Sequence, residues 1–269
     1  MTAIAVTIAG SDSGGGAGIQ ADLKTFSALG VYGASVITAL TAQNTKGVSG
    51  VHDVPPDFVT AQIDAVFSDL DVDAVKIGML SRPETIRAVA AGLERFHQRR
   101  IVLDPVMVAA SGDPLIADDA VAVLVEVLIP MVTIITPNLP EAARLLDGKP
   151  AEKPDEVEAQ AARLLDRGAK AVLLKGGHGS GAESADYLLT PVGGRWLTAP
   201  RIETENTQGT GCTLSSAIAA GLARGRHLEA AVVAAKEYLT AAIAAADQLQ
   251  IGAGRGPVHH FHAIWKGGS

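Results

Sequence analysis

In the last quarter of the chain, Gln208-Gly209-Thr210-Gly211-Cys212-Thr213-Leu214 places the only cysteine inside a glycine-framed turn that opens an apolar segment. Gly209 and Gly211 permit a tight turn and close approach of backbone to a ligand, and the first amides of a helix beginning near Thr210 have no intrahelical acceptor. Such an end attracts phosphates and oxyanions, and a thiol placed there is expected to have a lowered pKa. Cys212 is therefore a candidate catalytic group, with Gly209, Thr210 and Gly211 as its amide cradle. The same residues also describe a small buried cysteine at the start of a core helix, followed by Leu214, Ile218, Ala219 and Leu222. From this segment alone both readings stand.

A second glycine run, Gly10-Ser11-Asp12-Ser13-Gly14-Gly15-Gly16-Ala17-Gly18, follows an aliphatic stretch and precedes an amphipathic one. It lacks the Gly-Lys-Ser/Thr ending of a phosphate-binding P-loop and fits the dinucleotide fingerprint poorly, so its expected use is to bring backbone close to a small molecule. Asp22 lies one turn into the helix that follows, within reach of a polar ligand group or else solvated. Gln43 and Asn44 fall just after an expected strand, where an amide can both donate to and accept from a heterocycle.

Asp104-Pro105-Val106 closes an aliphatic run at the end where open α/β sheets place ligands. In Thr136-Pro137-Asn138-Leu139-Pro140-Glu141, Asn138 and Glu141 fit a helix capping box. A carboxylate there would also face the ligand crevice and could hold a metal through water. Lys175-Gly176-Gly177 ends another aliphatic run and could turn an ammonium group toward phosphates, or could simply be a turn. His259, His260 and His262 have no nearby cysteine or carboxylate with which to form a zinc set, and they flank Phe261.

These segments need a scaffold that brings strand ends together. Short aliphatic runs at residues 3–9, 34–38, 74–77, 101–103, 132–135 and 171–174 read as buried parallel strands. Amphipathic stretches at 17–29, 56–68, 83–96, 118–127, 139–146, 154–167, 210–224 and 228–248 read as helices between and after them. Residues 185–189 and 195–197 read as an antiparallel pair at a sheet edge. The expected fold is α/β, with a mostly parallel central sheet, helices on both faces and a short antiparallel edge, in one domain spanning 1–269.

Composition agrees: 48% of residues are hydrophobic but only 4% aromatic, as in a parallel-sheet core filled by Ala, Val, Leu and Ile. A net charge of −7 leaves no basic footprint for nucleic acid and no basic cluster for an anionic membrane. One cysteine forms no internal disulfide, and no leader or membrane-length apolar run is evident, so a soluble cytoplasmic protein is expected.

Taken together, in this order and nearly end to end, these segments resemble the bifunctional hydroxymethylpyrimidine and phosphomethylpyrimidine kinases of thiamine biosynthesis, in the ribokinase-like group. The resemblance also draws on Lys76-Ile77-Gly78-Met79-Leu80 and on Gly256-Pro257-Val258-His259-His260-Phe261-His262. It implies a pyrimidine over the N-terminal loop, contacted by Gly10, Asp22 and Gln43, with Met79 and Val106 as apolar neighbours. It implies ATP as co-substrate near Asn138, Lys175 and the turn from Gly209 to Cys212, and magnesium near Asp104 and Glu141. A homodimer is a further implication. Gln208, Ser13-Gly14 and Ala110 depart from residues common in relatives, which often carry histidine, Pro-Ser and lysine there. Pyridoxal phosphorylation and non-catalytic pyrimidine binding are the rival functions.

Overall fold

Strand and helix alternate along the chain as β1 (Ile4–Asp12), α1 (Gly18–Ala28), β2 (Tyr32–Asn44), β3 (Gly47–Asp53), α2 (Pro56–Phe67), β4 (Ala74–Ile77), α3 (Pro83–Arg95), β5 (Ile101–Leu103), α4 (Asp118–Val123), β6 (Ile134–Ile135), α5 (Leu139–Leu145), α6 (Pro154–Asp166), β7 (Val172–Lys175), β8 (Glu183–Thr190), β9 (Gly193–Pro200), α7 (Thr210–Ala223) and α8 (Leu228–Ala244). The computed structural model describes residues 1–109, 112–176 and 181–265; Ala110, Gly177 and His178 lie outside the described residues.

Among the described residues the strands form one sheet in the order β3-β2-β1-β4-β5-β6-β7-β8-β9. The run from β2 to β7 is parallel, whereas β3 at one edge and β8 and β9 at the other are antiparallel. The pleat divides the aliphatic strands between two cores. Val6, Ile8, Val75, Ile77, Ile101 and Leu103 face α2 and α3 through Val59, Ile63, Ile86, Val89 and Leu93. Ala5, Ala74, Val102 and Ala171 face the other way, onto α1, α7 and α8.

The small side chains on that second face let α7 sit close to the sheet, and from Thr213 to Ala223 every residue of α7 is buried. A helix buried all round needs apolar or small residues on every side, as this one has. Leu214, Ile218 and Leu222 each contribute roughly 1.5–3 kcal/mol by burial, so the helix end that carries Cys212 rests on a fixed element.

The structure departs from expectation in three places. β2 continues to Asn44 and turns back into β3 through register pairs from Ala39 with Asp53 to Asn44 with Gly47. Gln43 and Asn44 are thus strand residues; the edge ribbon is solvated and carries no aliphatic run, the signal by which strands are recognised. The expected helix at 118–127 stays α-helical only to Val123, then widens to a π-turn at Leu124–Leu128 and tightens at Ile129–Met131 around Pro130. The strand expected at 132–135 keeps ladder pairing only at Ile134–Ile135.

Candidate active site

The carboxyl ends of β1, β4, β5, β6 and β7 open into a cavity of about 770 Å³. Gly10, Gln43, Met79 and Val106 line one part of it, and Asp104, Asn138, Glu141 and Lys175 another, with the turn from Gly209 to Cys212 between them. Two glycine segments separated by most of the chain meet here. Gly209 is left-handed at φ 80°, and a Cβ on it would lie 2.0 Å from the Gly16 carbonyl oxygen. Only glycine allows that approach. No side chain caps this end of α7; the Thr210 amide donates to Thr207 O at 3.3 Å, and the Gly211 and Cys212 amides are available to an anion.

Asp12 clamps the loop. Its carboxylate, 2% exposed, accepts from the Gly14, Gly16 and Ala17 amides at 2.8, 3.0 and 2.8 Å, and from Gln208 Nε2 at 3.0 Å. Lys24 Nζ donates to the Gly15 carbonyl at 2.7 Å. Gln208 thus ties the turn at the start of α7 to the N-terminal loop. The tail braces the same turn: the Gln208 amide donates to Gly256 O at 3.0 Å, and His260 Nε2 lies 3.1 Å from Thr213 Oγ1. Thr213 donates its own proton to Gly209 O at 2.8 Å, which leaves His260 Nε2 as the donor. His260 is therefore a tail anchor.

At the other end, Lys175 Nζ sits 2.9 Å from Asp104 Oδ1 and 3.9 Å from Glu141 Oε2. Burial opposes the Lys175 charge, but Asp104 and Glu141 outweigh it and hold the ammonium protonated well above its ordinary range. Asn138 and Glu141 form the expected capping box of α5, with Glu141 N donating to Asn138 Oδ1 at 2.8 Å and Asn138 N to Glu141 Oε2 at 2.7 Å. Burial and the Asp104 charge raise the Glu141 pKa, while Lys175 and the amides of Asn138 and Met107 pull it down; the net direction is up.

Two expectations are corrected. Asp22 does not face the cavity: it is fully buried, accepting from Thr7 Oγ1 at 2.6 Å, Ser216 Oγ at 2.7 Å and Lys76 Nζ at 2.8 Å to each oxygen. With both oxygens saturated it has nothing left for a pyrimidine. The Cys212 thiol is pushed up, to about 11, not down. Burial dominates; Lys76 and the Gly18 amide favour the thiolate, and Asp22 and Asp104 oppose it. Cys212 is half-buried on the cavity wall, and the loss of water around its sulfur outweighs the favourable contacts.

Lys76, Asp12 and the Lys236–Asp186 pair (2.6 Å) also line the cavity and carry no assignment from sequence reasoning. Lys76 had a legible signal, a lysine inside the otherwise aliphatic β4 strand. Asp186 had none, because its second oxygen takes the Gly176 amide at 2.9 Å across a loop.

The sequence profile described as phosphomethylpyrimidine kinase matches residues 12–259. A hydroxymethylpyrimidine/phosphomethylpyrimidine kinase of Rhizobium meliloti is 64% identical, covering 99% of this chain and 100% of its own. The crystal structure of a Clostridium difficile phosphomethylpyrimidine kinase superposes with a TM-score of 0.79 at 46% identity, over 89% of this chain and 99% of that one. The Staphylococcus aureus pyridoxal kinase in complex with AMP-PCP and pyridoxal superposes with a TM-score of 0.90 at 31% identity, over 98% and 95%.

Proposed function

The chain belongs to the phosphomethylpyrimidine kinase family and is a ribokinase-like phosphotransferase; from that premise we propose how its own residues phosphorylate hydroxymethylpyrimidine, and then its monophosphate, with ATP in thiamine biosynthesis. The observation that carries this reading is the meeting of the Gly209 turn with the N-terminal glycine loop on one cavity that also holds Asp104, Glu141 and Lys175.

The pyrimidine lies against Gly10, Gln43, Met79 and Val106, and the nucleotide phosphates lie between Asn138, Lys175 and the amides of Gly209, Thr210 and Gly211. The hydroxymethyl oxygen attacks the γ-phosphorus in line, the bond to the β–γ bridging oxygen breaks, and ADP leaves. The hydroxyl proton passes to Cys212 Sγ as thiolate, and the amides at the start of α7 together with Lys175 stabilise the charge that develops on the phosphoryl oxygens. This role draws on the thiolate fraction, so the first phosphorylation should accelerate as pH rises through the neutral range. In the second round the attacking group is already an ionised phosphate, so positioning matters and the thiolate matters less.

Asp104 and Glu141 suit magnesium, which commonly binds one or two carboxylates and completes its shell with phosphates and water. When bound, the ion would neutralise charge on the transferring phosphates. No helix among the described residues is long and apolar enough to cross a membrane. A cytoplasmic location, a homodimer and a single domain over 1–269 complete the proposal.

Cys212→Ala tests the assignment. It should lower the first phosphorylation by about 10²–10⁴ and the second distinctly less. Near-normal first turnover would reject the base role, and equal losses would reject the partition between steps. The likeness to the S. aureus enzyme favours pyridoxal phosphorylation as a second reading. ADP release measured with hydroxymethylpyrimidine, its monophosphate and pyridoxal side by side separates the two, and ADP release with any of them excludes a non-catalytic binder.

A further inference from the structure

Asp186 on β8 and Lys236 on α8 form a buried ion pair, with Nζ 2.6 Å from Oδ2. Both border the cavity, beside Leu239, Thr240 and Ile243 of α8. The second carboxylate oxygen of Asp186 is also committed: it accepts from the Gly176 amide at 2.9 Å. Gly176 follows Lys175, the last residue of β7, and Lys175 is the register partner of Asp186 across the two strands.

The ladder between β7 and β8 ends at that pair, so the Gly176 amide finds its acceptor in a side chain. The backbone there runs so close to β8 that a Cβ on Gly176 would lie 2.0 Å from Ala185 O. On its other flank the Lys175 amide donates to Pro137 O at 2.9 Å, and Lys175 bridges Asn138 at the start of α5. The end of β7 is thus gripped from both sides, with the Lys175 ammonium 2.9 Å from Asp104 Oδ1.

Taking a charge pair out of water is costly, and well-packed apolar residues usually serve stability as well or better. This pair instead joins the strand end that carries Lys175 to the helix that walls the same cavity. We infer that Asp186, held by Lys236, is a positioning residue: its bond to the Gly176 amide fixes the end of β7 so that Lys175 and Asn138 meet the nucleotide phosphates. The inference deepens the reading of Lys175 as a phosphate contact and rests on it.

Two double variants of the full-length chain isolate that bond: Asp186→Asn with Lys236→Met, and Asp186→Ala with Lys236→Met. Both remove the two charges together, so neither leaves a buried charge alone. They differ in the acceptor, because asparagine keeps a carbonyl oxygen for the Gly176 amide and alanine does not. Binding of magnesium-ADP, followed by titration calorimetry, needs no turnover. The alanine pair should bind it at least about tenfold more weakly than the parent, and the asparagine pair within about threefold of the parent. KM for ATP should follow the same order, while KM for the pyrimidine, placed at the other part of the cavity, stays unchanged in both. Equal ADP binding by the two folded variants overturns the inference, and so does a pyrimidine KM that rises as much as the ATP KM, the mark of a general structural loss. Where the alanine pair fails to fold, Asp186→Leu with Lys236→Met removes the acceptor while filling its space and is held to the same outcomes. Lys175→Met is measured alongside. Weakened ADP binding there, with no difference between the double variants, overturns the role of Asp186 alone; unchanged ADP binding there overturns the phosphate role of Lys175 and the inference with it.

Discussion

Replacing Asp22 by alanine separates a structural carboxylate from a substrate contact. The change removes the acceptor for Thr7, Ser216 and both Lys76 bonds and leaves a fully buried ammonium group without a counter-charge. Breaking a buried pair by removing one partner costs about 3–5 kcal/mol. That is a large share of the roughly 5–15 kcal/mol that holds a domain folded. At about 2–4 °C per kcal/mol for chains of somewhat smaller size, the melting temperature should drop by about 6–20 °C. Thermal unfolding of the ligand-free protein, followed by circular dichroism, gives the number, and steady-state kinetics below the transition give KM for the pyrimidine. The double change Asp22→Asn with Lys76→Met should recover most of the lost stability. An Asp22→Ala protein that melts within about 2 °C of the parent while its pyrimidine KM rises about tenfold or more would refute the reasoning, because a loss of that pattern belongs to a ligand contact.

Gly209→Ala should cut both phosphorylations by about a hundredfold or more, since the new Cβ would drive the turn away from Gly16 and misplace the amide cradle; unchanged kcat would refute the close approach. Asp12→Ala should raise KM for the pyrimidine through loosening of the loop whose Gly14, Gly16 and Ala17 amides it holds, and normal KM would show the clamp to be dispensable. His260 is held down to about 4, by burial first and then by the Lys24, His259 and His262 charges, against an ordinary value of 6.5. The unfolded chain therefore binds this proton more tightly. The stability it represents is complete above about pH 6.5 and is lost as pH falls toward about 4, by roughly 3 kcal/mol in all. Urea midpoints between about pH 7 and 4.5 should fall less for His260→Gln than for the parent, and parallel declines would refute the linkage.

Much of this molecule follows from local sequence. Aliphatic runs of three or four residues bounded by Gly, Asp or Pro declare buried parallel strands, and Asn138 with Glu141 declares a helix start, because both signals lie within a few neighbouring residues. The edge strand β3 was not legible, since Gly47–Asp53 is solvated and draws its order from pairing with β2. The glycines at 10–18 and 209–211 announce close backbone approach, but not that they approach each other across the chain. Sequence likewise identifies Asp22, Asp104 and Cys212 as chemically capable without saying which way each looks. That is decided when β1, β4 and α7 pack: Asp104 is left at a strand end facing the cavity, Asp22 is turned inward onto Lys76, and Cys212 is set where the loss of water raises its pKa. Side-chain direction and the loss of water around a charge are properties of several elements at once, and no single segment contains them.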